Sequence, residues 1–414
     1  MLYIIIVPNL EYIGGAQLYA LRRAKYLSEK NINILFITLK LKKENLILKE
    51  LENFNIIEEP SLEVIYKKKD LVIEKIIKKL NIKKDQEVII ENLEFFWAGE
   101  ILAKKLNARH YIYLLEEQDF FNQLNKEFYL KKLEKKEIIG VSKETLRISF
   151  GPLWNEDKYE NRYVNIGHKD NEIRKDEVKT RELKLEKNNK IIRIITVSRF
   201  DKTYIEEMIK AVILISKKYL EDNFELILIG DSYNKEIKKR LENKYKSTKN
   251  LDIRFLGYIN PLFAEIYLNS DLFIGMGTAL INAASYGCPC LAIDPRNNET
   301  SGFFGIDVFS FGYREDDKTF DIYSKIEEFM KMSMKDKDEV FKKTIELFKN
   351  DFEFEKVMEK LDSYIFESRG KIEYVDSKET LKMKVKYILY KIGLLKVARK
   401  VKNKIIKPKK FVNL

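Results

Sequence analysis

Short runs of aliphatic and β-branched residues alternate with amphipathic helical stretches along this chain, and no other feature limits its fold as strongly. Parallel strands need a crossover connection, usually a helix, so this alternation predicts βαβ units and mostly parallel sheets. In the first half we predict a helix from about Gly15 and strands at residues 2–7, 32–39, 87–91, 111–115 and 137–142. In the second half we predict strands at residues 191–198, 224–230, 253–257, 271–275 and 290–294. The chain is therefore predicted to be an α/β protein with two doubly wound sheets.

A length of 414 residues suits two such domains. Between them lies a highly charged stretch with almost no apolar periodicity, which predicts an exposed linker. We expect the domains to face a central cleft at the carboxyl ends of their strands, where open α/β sheets bind ligands. The predicted order is a Rossmann-like domain at 1–166, a linker at 167–190, a second Rossmann-like domain at 191–350, closing helices at 351–376 and a tail at 377–414.

Metal ligands are scarce in this sequence, which has only two cysteines and two histidines. Cys288 and Cys290 form a Cys-Pro-Cys run that predicts a pair of small buried thiols. His168 is interpreted as a linker residue and not as a ligand. Since no metal-ligand spacing can be assembled from these residues, we predict a metal-independent protein.

The amino-terminal residues lack the basic segment and long apolar run of a signal peptide and are typical of a first strand. No apolar run reaches the roughly 18 residues of a membrane-spanning helix. These observations predict a cytoplasmic protein.

Residues 377–414, here called the basic tail, contain 13 basic residues and one acidic residue, which equals the net charge of +12 of the whole chain. Aliphatic residues recur at helical spacing from Leu381 to Leu395 and again from Leu394 to Ile405. This pattern predicts a basic amphipathic helical tail on the inner, anionic surface of the cell membrane. A helix packed on its own protein is an alternative. Nucleic acid is a third reading, which we disfavour because the apolar stripe is aliphatic and not interleaved with aromatic residues.

Three strand ends of the second predicted domain carry features that suit a phosphate. Arg199 and Lys202 follow the first strand and could neutralise a diphosphate. Gly230 and Asp231 form a tight turn that opens a helix, and Gly277 lets backbone amides approach an anion at a helix start. Each feature alone is weak, because a glycine after a strand is usually only a turn. Together, at successive strand ends, they predict a nucleotide-diphosphate site.

The same stretches resemble the donor-binding domain of family 4, or group 1, glycosyltransferases of the GT-B fold. The resemblance is carried by ITVSRFDK, LILIGDS, IRFLGYI and EIYLNSDLFIGMGTALINAASYGCPCLAID. Gly14 and Gly15, followed by a helix, resemble the glycine-rich loop of the family's acceptor domain. The resemblance covers roughly residues 1–370 and implies a GT-B fold that transfers a sugar from a nucleotide donor.

The resemblance also implies roles for individual residues. Arg199 and Lys202 match the basic pair on the donor diphosphate, and Tyr258 falls where the family's backbone holds the nucleobase. Gly14 and Gly15 would line the acceptor side. The complete predicted donor-binding set is Arg199, Lys202, Gly230, Asp231, Tyr258, Gly277, Thr278, Ala279 and Asn282.

The sequence departs from the family in two places. Many retaining members carry two glutamates eight positions apart, but the matching residues here are Ile274 and Asn282. Asn282 can still hydrogen-bond a ribose hydroxyl, whereas Ile274 cannot act as a carboxylate. No histidine stands at the usual acceptor-side position, so Glu116 and Glu117 are the candidates for a general base. A helix cap or a surface charge is the alternative role for these two glutamates.

We therefore predict a glycosyltransferase that acts on a lipid-linked glycan or another cell-envelope acceptor, without a cofactor beyond its nucleotide-sugar substrate. A non-catalytic GT-B partner in a polysaccharide assembly is the main alternative, because the glutamate pair is missing. A sugar-nucleotide epimerase of the same fold is a third reading. An NAD-linked dehydrogenase is disfavoured, since no complete G-x-G-x-x-G follows the first strand.

Overall fold

The computed structural model divides the chain into two compact units. The first unit contains Met1–Ile166 and continues from Val357, and the second contains Gly167–Lys356. The basic tail lies outside the described residues. The structure describes residues 1–10, 15–41, 50–51, 53–60, 62, 69–80, 82–83, 86–121, 123, 125–159, 162–169, 174–232, 234–259, 262–310, 317–367 and 372–375.

The first unit is built around a six-stranded parallel sheet. Its strands are β1 (Leu2–Val7), β2 (Asn33–Thr38), β3 (Asn55–Glu58), β4 (Val88–Asn92), β5 (Arg109–Leu114) and β6 (Ile138–Gly140). Their order is β3-β2-β1-β4-β5-β6, with Leu2 of β1 opposite Asn33 and Val88. The described helices are α1 (Gly15–Glu29), α2 (Lys69–Leu80), α3 (Phe96–Leu106), α4 (Lys126–Glu134) and α5 (Lys143–Phe150). Strand β1 is buried throughout, as expected for a parallel sheet whose faces are both covered.

The second unit repeats this arrangement. Its strands are β7 (Ile191–Val197), β8 (Asn223–Ile229), β9 (Leu251–Gly257), β10 (Leu272–Gly275), β11 (Cys290–Asp294) and β12 (Glu299–Phe303). Their order is β12-β11-β10-β7-β8-β9, and only β12 is antiparallel to its neighbour. The helices are α6 (Glu177–Glu182), α7 (Tyr204–Lys218), α8 (Lys235–Lys244), α9 (Glu265–Leu268), α10 (Thr278–Ser285), α11 (Ile322–Lys331) and α12 (Met334–Asp351). Helix α13 (Phe354–Ile365) follows, and from Val357 onward it belongs to the first unit. The predicted α/β class with two doubly wound sheets is confirmed.

The two strands that the sequence pattern missed, β3 and β12, are both edge strands. In β3 only Ile57 is fully buried, and β12 has the sequence ETSGF, without a run of β-branched residues. Such short edge strands carry little of the pattern that identifies a buried parallel strand.

Residues 167–190, predicted to be an exposed linker, are part of the second unit. They contain α6, and Leu185 is buried in the core. The carbonyl oxygen of Leu185 accepts a hydrogen bond of 2.8 Å from Arg193, and the Arg174 carbonyl accepts one of 3.0 Å from the Ala264 amide. The acceptors in both hydrogen bonds are backbone carbonyls. A pattern of side-chain types does not reveal such contacts, so the charged composition alone predicted an exposed segment.

A fully buried ion pair joins α1 to the first sheet. Arg23 of α1 lies 3.5 Å from the carboxylate of Glu91 on β4, and both side chains are inaccessible to solvent. The hydroxyls of Tyr3 and Tyr19 each donate to that carboxylate at 2.5 Å. Arg23 also binds Asp362 of α13 at 2.7 Å. Because removal of one partner would leave a buried charge uncompensated, this network fixes both helices to the sheet.

A second buried cluster holds residues 372–375 on the first unit. The Glu100 carboxylate accepts hydrogen bonds from His110 Nδ1 at 2.6 Å, from Lys132 Nζ at 2.8 Å and from the Val375 amide at 2.6 Å. Burial and the Lys132 charge lower the pKa of His110 to about 4. Burial alone would raise the pKa of Glu100, but His110 and Lys132 lower it to about 2.

We expect the free energy of unfolding to fall as the pH is lowered from about 6.5 to about 4. In this range the unfolded chain protonates His110, whose ordinary pKa is 6.5, while the folded chain keeps it neutral. The loss attributable to His110 should reach at most about 3 kcal/mol. Urea unfolding at a series of pH values, with His110→Gln as the comparison, measures it. An unchanged pH dependence in the variant would contradict this assignment.

Candidate functional site

The predicted donor-binding residues gather at one edge of the second sheet. Strands β10, β7, β8 and β9 are neighbours and parallel, so their carboxyl ends meet at this edge. The loops after these strands and the first two turns of the helices that follow them contain Arg199, Lys202, Gly230, Asp231, Tyr258, Gly277, Thr278, Ala279 and Asn282.

Two cations follow β7. The Arg199 side chain is 53% exposed and lies 3.3 Å from the Asp201 carboxylate. Burial, followed by the like charge of Arg199, lowers the pKa of Lys202. Within the described part of the chain Lys202 makes no ion pair. An anion between the two cations would compensate both charges, as the predicted diphosphate requires.

Gly230 allows the loops after β7 and β8 to pack together. Its φ is +141°, and a Cβ atom there would lie 1.8 Å from the carbonyl oxygen of Ser198. The Phe200 amide donates to the Asp231 carbonyl at 3.0 Å, and the Gly230 amide donates to the Gly257 carbonyl at 2.8 Å. Gly230 therefore acts through backbone packing that places the cations after β7.

Helix α10 begins at an open position. Gly277 precedes it with φ 64° and ψ −142°, and no side chain caps the first turn. A Cβ atom at Gly277 would contact nothing within 4 Å, Thr278 is exposed and Ala279 is half-buried. Uncapped amides at a helix start favour an anion, so this turn complements the cations after β7.

Asn282, in the second turn of α10, contacts His168. The Nδ1 atom of His168 lies 3.1 Å from the Asn282 Oδ1 atom, and His168 is only 2% exposed. His168 lies in the segment predicted to be a linker, and its side chain is buried against a predicted donor-binding residue. A lone histidine in a charged stretch gave no signal of this contact. Ile274 is fully buried inside β10, which leaves no carboxylate at that position of the strand.

The end of β9 carries an exposed aromatic residue and a cation that the sequence pattern did not single out. Tyr258 is 69% exposed. The Lys238 Nζ atom of α8 would lie 3.2 Å from a Cβ atom at Gly257, where φ is +75°. Lys238 was missed because α8 is rich in lysine, and no spacing distinguishes one lysine from the others.

The acceptor-side candidates belong to the first unit. Gly15 is the exposed first residue of α1, while Gly14 lies outside the described residues. Glu116 and Glu117 are both exposed and follow β5. These placements leave the roles of Gly15, Glu116 and Glu117 as predictions.

The thiols of Cys288 and Cys290 are buried and not bonded to one another, as predicted. Burial raises the pKa of both, so they remain protonated. In the residues that the structure describes, no group of three or more His, Cys, Asp or Glu side chains could hold a metal ion. Nor does that part of the chain contain a helix with the length and apolarity needed to cross a membrane.

Comparisons with known proteins give a family match over part of the chain and structural neighbours over most of it. Residues 177–300 match the family model of glycosyl transferases group 1. The chain is similar to a glycosyltransferase from Rickettsia africae ESF-5, with a TM-score of 0.66, 17% identity and coverage of 89% of this chain and 99% of that one. It is also similar to the lipopolysaccharide outer core galactosyltransferase WaaB in its apo form (TM-score 0.54, 14% identity, 88% and 99% covered). The trehalose-6-phosphate synthase OtsA gives a TM-score of 0.56 with 14% identity and 91% and 100% covered. No curated protein matches the sequence.

The two sheets and these structural neighbours define a GT-B fold, which confirms the fold implied by the resemblance. Within this class the chain resembles the group 1 glycosyl transferases, and the matched segment includes the donor-binding candidates from Arg199 to Asn282. The match supports glycosyl transfer as the class of reaction.

We expect Gly230→Ala to destabilise the protein by more than about 3 kcal/mol, because the new Cβ atom collides with backbone and φ is positive. Gly277→Ala is the matched control. Its φ is also positive, but a Cβ atom there would meet open space, so its cost should be about 1–3 kcal/mol. Chemical unfolding of the two variants measures the difference. Equal stability of both would show that the contact with Ser198 does not constrain the loops.

Proposed function

We propose that this chain transfers a sugar from a nucleotide-diphosphate donor to a lipid-linked glycan or another cell-envelope acceptor. The observation that carries the proposal is the placement of Arg199 and Lys202 after β7, inside the segment that matches the group 1 glycosyl transferases. The uncapped start of α10 at the same edge adds to it.

These groups suit the departure of a nucleoside diphosphate. In the proposed transfer, an acceptor oxygen forms a bond to the anomeric carbon while the bond from that carbon to the phosphate oxygen breaks. The diphosphate leaves with the electron pair, and Arg199, Lys202 and the amides of α10 stabilise its negative charge. The acceptor proton passes to a carboxylate, for which Glu116 and Glu117 are the candidates. This proposal requires no metal ion.

The envelope acceptor is supported by two indirect observations. The neighbour WaaB is a galactosyltransferase of the lipopolysaccharide outer core, whereas OtsA, with the same fold, is a trehalose-6-phosphate synthase. The fold therefore does not by itself distinguish an envelope acceptor from other acceptors. The basic tail favours an acceptor at a membrane. Val375, two residues before that tail, donates a backbone hydrogen bond to Glu100 of the first unit, the acceptor side by resemblance.

The non-catalytic alternative has one specific observation in its favour. Ile274 is buried in β10 where many family members carry a glutamate, so the chain lacks that carboxylate. Donor binding without release of nucleoside diphosphate in the presence of lipid-linked acceptors would identify a binding partner and not a transferase.

A screen against UDP-, GDP-, ADP- and CDP-linked sugars should find at least one donor that raises the melting temperature. A ligand at a hundred times its Kd stabilises the native state by about 2.7 kcal/mol. Arg199→Ala should abolish the shift. Arg181→Ala, on exposed α6, is the control and should keep it.

Two results would contradict the donor site. One is the absence of a shift with every donor, and the other is a full shift in Arg199→Ala.

Vesicle sedimentation tests the membrane proposal. We expect the full chain to sediment with anionic vesicles at low salt and residues 1–376 to remain in the supernatant, because the deletion removes 13 basic residues. Neutral vesicles should bind neither form strongly. Equal binding of both forms to anionic vesicles would refute a role for the tail.

A further inference from the structure

A buried histidine adjoins the amide of Asn282. The separation of 3.1 Å between His168 Nδ1 and Asn282 Oδ1 is a hydrogen-bond distance. An amide oxygen only accepts, so in this arrangement Nδ1 carries the hydrogen and donates it. The bond therefore occupies the carbonyl side of the Asn282 amide and leaves the NH2 side to donate.

The position of His168 is fixed by its backbone. Its amide donates to the Phe352 carbonyl at 2.8 Å, and its carbonyl accepts from the Phe354 amide at 3.0 Å. These residues connect α12 to α13. This pairing fixes the backbone of His168, and the burial of its side chain restricts the ring, so His168 can support the amide.

Asn282 is itself accessible enough to meet a ligand. It is half-buried and lies four residues after the exposed Thr278, so both stand on the same face of α10. The buried hydroxyl of Tyr267 also faces the Asn282 side chain. Since the amide nitrogen carries two hydrogens, at least one remains for a ligand.

We propose that His168 is a positioning residue for donor binding, which holds the Asn282 amide so that its NH2 group donates to a ribose hydroxyl of the nucleotide. This inference rests on the proposed function, because it takes α10 as part of the donor site. A glutamate accepts hydrogen bonds from ribose hydroxyls, whereas the Asn282 amide held by His168 donates to one of them.

The test measures Kd by calorimetry for the nucleoside diphosphate, among UDP, GDP, ADP and CDP, that binds the wild-type chain most tightly. His168→Ala should raise Kd about three- to tenfold, the range for one hydrogen bond. His168→Asn, which keeps an N–H donor near the Nδ1 position, should restore most of the affinity. The double variant His168→Ala, Asn282→Ala should bind no more weakly than Asn282→Ala alone.

Deoxynucleotides identify the group that Asn282 contacts. With either the 2′-deoxy or the 3′-deoxy form of the same diphosphate, His168→Ala should bind as well as the wild-type chain, since the partner hydroxyl is gone. A purely structural role of His168 would instead weaken all of these ligands equally.

The binding results distinguish a failure of the positioning role of His168 from a failure of the donor site. If Arg199→Ala loses binding but His168→Ala does not, the positioning role is overturned and the donor site stands. Additive losses in the double variant would also overturn the positioning role. If the wild-type chain binds no nucleoside diphosphate, both proposals fail.

Discussion

The contact between Gly230 and the Ser198 carbonyl is the constraint on which the edge of the second sheet depends. A side chain at Gly230 would overlap that oxygen, so only glycine lets the loops after β7 and β8 approach so closely. The backbone hydrogen bond from Phe200 to Asp231 exists because of this approach, and it holds the segment that carries Arg199 and Lys202. The absence of a side chain at Gly230 thus helps to determine the positions of Arg199 and Lys202.

The same edge combines side-chain charges with the dipole of a helix start. Burial and the Arg199 charge lower the pKa of Lys202, so the surroundings of this side chain disfavour its charged form. The open start of α10 adds partial positive charge from its amides. A bound diphosphate would stabilise all of these groups, and perturbed charges of this kind are typical of functional sites.

Much of the fold could be predicted from the sequence, because buried parallel strands such as β1 and β8 are largely apolar runs separated by helical stretches. Edge strands β3 and β12 could not, since β3 is mostly exposed and β12 lacks a run of β-branched residues. At the site, Arg199 and Gly230 were recognisable because they follow strands directly. Lys238 was not, because no spacing distinguishes it from the other lysines of α8, and His168 was not, because its contact is with a residue distant in sequence. The hydrogen bond from Val375 to Glu100 is hidden for the same reason.

The central claim is that the carboxyl edge of the second sheet binds a nucleoside diphosphate. A crystal structure of the full chain with its tightest-binding nucleoside diphosphate tests this claim most directly. The account predicts diphosphate oxygens within hydrogen-bond distance of Arg199 and Lys202, with the ribose beside Asn282. A nucleotide bound in the first unit, or in the second unit away from the ends of β7 and β10, would contradict it.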